Sequence, residues 1–136
     1  MRRLSSVLIV LIAALALAVA GCGGSDESEE EESATPAEAV AEIGEIKTML
    51  ATAVDQVRSG DAKAAEETVG DAYLEHFEHV EHPLGEKDHE LMEELEEAIS
   101  TDLRNDIKDG KSADEISSAV DEINTDLDKA VELLQG

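Results

Sequence analysis

From Pro36 onward, apolar residues recur at helical spacing in four successive stretches, and no stretch alternates with the two-residue period of a strand. Pro36 and Ala37 open the first, whose apolar positions Ala39, Ile43, Ile46, Leu50, Ala53 and Val57 step by four and three until Ser59-Gly60 stops it. Asp61 caps the second, which carries Ala62, Ala65, Val69, Tyr73, Phe77, Val80 and Leu84 and closes at Pro83 and Gly85. Asp88 caps the third, which runs through Leu91, Met92, Leu95, Ile99, Leu103 and Ile107 to Gly110. Ser112 and Glu115 form a capping-box signature for the fourth, with Ala113, Ile116, Val120, Ile123, Leu127, Ala130 and Leu134 on its apolar face. Short connections return each helix beside the one before it. The pattern therefore predicts an all-α fold over residues 36–136, an antiparallel up-down-up-down four-helix bundle.

A different apolar pattern precedes this domain. Val7 to Ala20 is unbroken behind Arg2 and Arg3, is short for a membrane span, and leads through Leu17-Ala18-Val19-Ala20-Gly21 to Cys22, the only cysteine. A small residue directly before that cysteine is the pattern of a lipobox. Residues 1–21 then read as a lipoprotein signal peptide, and Cys22 as the lipidated first residue of the mature chain, held to the extracytoplasmic side of a membrane by acyl chains. Ala18-Val19-Ala20 also offers an ordinary secretory cleavage site. Residues 22–35, with Asp26, Glu27 and Glu29 to Glu32 and no large apolar side chain, read as an acidic, extended tether.

Charge narrows the partners. Cleavage before Cys22 leaves 115 residues and moves the net charge from −24 to −26, which disfavours nucleic acid and anionic headgroups and favours cations and basic proteins. Tyr73 and Phe77 are the only aromatics, so an aliphatic, alanine-rich core leaves little room for a large organic cofactor.

Candidate chemistry lies on the second helix, where Glu75-His76, Glu78-His79 and Glu81-His82 repeat every three residues. On a helical projection His76 falls to one side of the apolar stripe and Glu81 to the other, while Glu78, His79 and His82 point outward. His76 with His79, or Glu78 with Glu81, can share a metal ion, with further oxygen from Glu93, Glu96 or Glu97 of the third helix. Nitrogen and oxygen donors suit iron, zinc, manganese or copper. A solvated acidic face gives the same composition. Glu96 and Asp106 fall close to the third helix's apolar stripe and require a partner if buried, for which Arg104 and Lys108 are at hand.

The stretch Asp71-Ala72-Tyr73-Leu74-Glu75-His76-Phe77-Glu78-His79-Val80-Glu81 is followed by Asp88, Leu91, Leu95-Glu96, Leu103-Arg104 and a glycine-ended turn. Over residues 51–134 this resembles the extracytoplasmic N-terminal domain of bacterial high-affinity iron permeases of the iron/lead transporter family. The shared pattern is Tyr73, Phe77-Glu78, Glu81, Glu96 and Arg104. Those permeases handle the ion with an Arg-Glu-x-x-Glu motif in membrane helices, a motif not found in this sequence. The resemblance implies a detached outer domain that binds a metal cation or hands it over to a separate permease. Taken with the helical spacing above, the candidate ligands are His76, Glu78, His79, Glu81 and Glu96.

No serine or cysteine nucleophile stands beside a base, and the one Glu-x-x-His pair, Glu86 and His89, straddles a loop where a di-iron enzyme needs two such pairs on helices. The expectation is a non-enzymatic, lipid-anchored accessory for uptake of a metal cation, iron foremost. The alternative is a structural or protein-interaction envelope lipoprotein with no specific metal site.

Overall fold

The computed structural model describes residues 34–136. The expected signal peptide, Cys22 and all but the last two residues of the tether lie outside the described residues. Within them the chain is all-helical, with four helices: α1 (Pro36–Ser59), α2 (62–85), α3 (89–108) and α4 (Ala113–Gln135). None is long and apolar enough to cross a membrane.

Local chemistry sets each boundary. Asp61 Oδ1 accepts from Ala64 N, and Asp88 Oδ1 from Leu91 N, both at 3.1 Å, so each aspartate satisfies an orphan donor of the first turn. Ser112 and Glu115 form the expected reciprocal box. Thr35 and Glu38 form a second one at the start of α1: Thr35 Oγ1 accepts from Glu38 N at 3.3 Å and Glu38 Oε2 accepts from Thr35 N at 2.8 Å. Gly60, at φ 87°, closes α1 in the left-handed conformation, its N–H bonding back to the last turn.

Two helices are not α-helical throughout. A π-helical segment, Ala72–Phe77, interrupts α2 and another, Ala98–Asp102, interrupts α3. The apolar spacing explains both. In α1 and α4 the steps of four and three alternate, which keeps the stripe on one face. In α3 the buried positions Leu91, Leu95, Ile99, Leu103 and Ile107 are all four apart, and α2 runs Ala65, Val69, Tyr73, Phe77 in fours. Each step of four overshoots an α-helical turn by about 40°. A wider i→i+5 turn absorbs that drift and keeps the stripe inward.

The core is apolar without exception: among the described residues no polar or charged residue is fully buried. Phe77, Ile43, Ile46, Leu50 and Leu84 are among its largest enclosed side chains, and Tyr73 stacks on Phe77 with centroids 6.0 Å apart. Helix α1 packs extensively on α2 and α4, and α2 on α3, whereas the α3–α4 seam is sparse. Across α1 and α4, Lys47 pairs with Asp128. Across α2 and α3, Glu66 meets Arg104 and Lys108 while Tyr73 meets Glu96.

Two glycines separate propensity from conformational need. Gly70 is mid-helix, and a Cβ there would touch Arg104 Cζ at an ordinary 3.7 Å, so Gly70→Ala should stabilise the fold by about 1 kcal/mol. Gly60→Ala, strained at positive φ, should destabilise it by about 1–2 kcal/mol. Urea denaturation of the two variants checks the opposite signs.

Candidate functional site

Because the core admits no polar side chain, chemistry is confined to the half-buried rims where helices meet. The five residues expected to ligate a metal, four on α2 and Glu96 on α3, are not brought to one place. Helix α2 turns His76 toward α1, where its Nδ1 lies 2.6 Å from Glu42 Oε2. A carboxylate oxygen accepts, so the imidazole proton sits on Nδ1 and, in the neutral ring, Nε2 is the lone-pair nitrogen. Glu78 and His79 are exposed.

Glu81 and Glu96 are brought together on the opposite rim, between α2 and α3, with Tyr73 beside them. Tyr73, in the π segment of α2, is half-buried, and its hydroxyl donates to Glu96 Oε1 at 3.4 Å. Burial, reinforced by the charges of Glu81 and Glu96, pushes the phenol up to about 12, so Tyr73 remains a proton donor at neutral pH. Glu81 is itself half-buried, and its Oε1 has no hydrogen-bonding partner. Burial raises its pKa above the ordinary 4.5; the Tyr73 hydroxyl opposes the rise, and the charges of Glu96 and Glu78 add to it. Two carboxylates that repel each other across a partly dry seam favour whatever cation or proton enters between them.

A third rim lies further along the α2–α3 seam. Arg104 Nη2 and Lys108 Nζ each lie 3.0 Å from Glu66 Oε1, and together they hold the Glu66 carboxyl below its usual range, Lys108 most strongly. This corrects the pairing expected from the sequence, in which Arg104 and Lys108 neutralise Asp106 or Glu96. Residues two apart on a helix do not face each other, so Asp106 cannot reach either cation along its own helix. It pairs instead with Lys111 at 2.7 Å and stays partly exposed.

Among the described residues, no group of three or more His, Cys, Asp or Glu side chains is placed so that it could hold a metal ion. Sequence reasoning missed Glu42 and Glu66. Each is 34 or more residues from its partner, and no local pattern distinguishes either from the many other glutamates on the helices' outer faces. No known protein family, characterised protein or solved structure matches the chain.

The raised Glu81 value has a signed consequence. The folded state holds this proton more tightly than the unfolded chain does. Its contribution to stability is therefore full below pH 4.5 and is lost as pH rises through the folded pKa. Glu81→Gln, which keeps the shape and removes the charge, is expected to raise the melting temperature at pH 7 and to give no gain at pH 4. A melting series across that range measures both.

Proposed function

We propose that this chain is a lipid-anchored, extracytoplasmic accessory protein that binds a metal cation, iron foremost, and passes it to a separate permease. The helices of its domain run antiparallel, up-down-up-down. Support comes from the α2–α3 pairings, in which Glu66, early in α2, meets Arg104 and Lys108, late in α3, while the later Tyr73 meets the earlier Glu96. The short connections at residues 60–61, 86–88 and 109–112 agree with that order.

The observation that carries the function is the Glu81–Tyr73–Glu96 cluster. Glu81 and Glu96 supply hard oxygen donors suited to iron, manganese or zinc. A cation between them replaces the proton that Glu81 tends to retain and relieves the repulsion of the pair. Tyr73, keeping its own proton, positions Glu96 and is not a ligand. Glu78 and His79, exposed three and two residues before Glu81, gather cations in the field of a domain that carries a net charge of −20 from Pro36 on. His76 with Glu42 is a separate nitrogen–oxygen pair on the other side of α2. No catalytic step is assigned to any residue.

Calorimetric titration of the full chain with ferrous iron under argon, in about 0.15 M salt to screen charges beyond roughly 8 Å, is expected to saturate near one equivalent. Affinity should fall as pH drops toward the raised Glu81 value. Glu81→Gln with Glu96→Gln should abolish the binding, and His76→Gln should leave it. Unchanged binding in the double variant, or displacement by an equal concentration of magnesium, leaves the protein-interaction lipoprotein as the reading.

Anchoring rests on Cys22. Cys22→Ser is expected to abolish incorporation of a radioactive fatty acid during growth, and equal labelling of both forms would remove the lipid anchor from the proposal.

A further inference from the structure

The α3–α4 seam is the least closely packed of the junctions between successive helices, and two concavities open along it, away from the Glu81–Tyr73–Glu96 cluster. One, of about 440 Å³, lies between the start of α3 and the end of α4, with Leu91 and Leu133 on its walls among Glu90, Glu94 and Glu132. The other, of about 230 Å³, lies further along the same two helices. There the half-buried Ala98 and Ala119 form an apolar floor over the buried Leu103 and Ile123, and Asp102 and Asp106 of α3 face Glu122 and Asp126 of α4 across it. From residue 88 to residue 106 the two concavities span about 27 Å at the α-helical rise of 1.5 Å per residue.

We propose that this seam is a docking groove for a basic amphipathic helix of a partner protein. The arrangement is an apolar floor between two acidic rims. The small side chains of Ala98 and Ala119 let another helix approach closely, and about 18 residues of helix match the groove's length. Lysine or arginine on both flanks of an apolar stripe lays its methylene stem along the rim and its charged head on the carboxylates. The charge is strongly one-sided: eight carboxylates line the two concavities and Lys129 is their only cation. Lys129 is bound to Asp126 at 2.7 Å, and Lys111 to Asp106 at 2.7 Å, while Asp102 and Glu122 have no ion-pair partner among the described residues. A second copy of this chain is a poor occupant, because it would bring the same acidic rims against these.

The test uses the full chain with a chelator present, which makes it independent of the metal proposal. Its probe is a fluorescein-labelled 18-residue helix with leucine and alanine on one face and lysine on both flanks, followed by anisotropy in about 0.15 M salt. Saturable one-to-one binding is expected, at least tenfold tighter than that of a scrambled peptide of the same composition. Asp102→Asn with Glu122→Gln, both exposed and nearly isosteric, should weaken binding about tenfold or more without changing the melting temperature. Ala119→Arg, which fills the floor, should do the same; if it also destabilises the fold, the isosteric pair decides. Equal binding of the scrambled peptide, or unchanged binding by the double variant, would overturn the groove. Displacement by spermidine at matched charge would give the seam to a small polycation, and a chain dimer dissolved by the double variant would give it to a second copy. Either outcome ends the proposal.

Discussion

Every helix in this domain has to keep one apolar stripe turned inward for its whole length, and the remaining architecture follows from how each sequence meets that constraint. In α1 and α4 alternating steps of four and three let a regular α-helix do it. In α2 and α3 consecutive steps of four would carry the stripe around the helix, and a π-helical turn in each brings it back. These turns lie on adjoining helices, so the altered backbone is concentrated in one pair. Tyr73 and His76 sit in the first π segment, and Ala98 and Asp102 in the second.

The same constraint drives charge to the rims. From Pro36 on there are 28 acidic residues against 8 basic ones and, in the described domain, no polar residue is fully buried; most carboxylates stand exposed on the helices' outer faces, and each border between helices handles the few half-buried ones differently. One part of the α2–α3 seam neutralises Glu66 with two cations. Another leaves Glu81 and Glu96 together with a protonated Tyr73 between helices. The α3–α4 seam leaves most of its carboxylates facing solvent beside an apolar floor. Half-burial is the physical difference: a carboxylate kept partly from water gains more from a cation than a fully hydrated one does.

Helix α3 serves two surfaces. Glu96 faces α2, whereas Ala98 and Asp102, two and six residues on, belong to the α4 side. The proposed cation site and the proposed groove therefore share a helix without sharing a residue. Extracytoplasmic tethering of such a domain would raise its effective concentration near a membrane partner.

The sequence by itself determined the four helices, their ends and nearly all of the core, because caps, glycine stops and apolar period are local properties that each segment carries regardless of its neighbours. The π turns in α2 and α3 were not among the expectations from sequence, although the runs of fours there give their physical reason. The placing of Glu81 and His76 on opposite flanks of α2 was readable from helical angle. Only the tertiary structure decided which charges meet. Arg104 and Lys108 reach across to Glu66, Asp106 turns to Lys111, and His76 finds Glu42, since ion pairing depends on which rims the packed stripes bring together. Many acidic side chains are equivalent along the chain; burial and proximity, set by packing, make a few of them different.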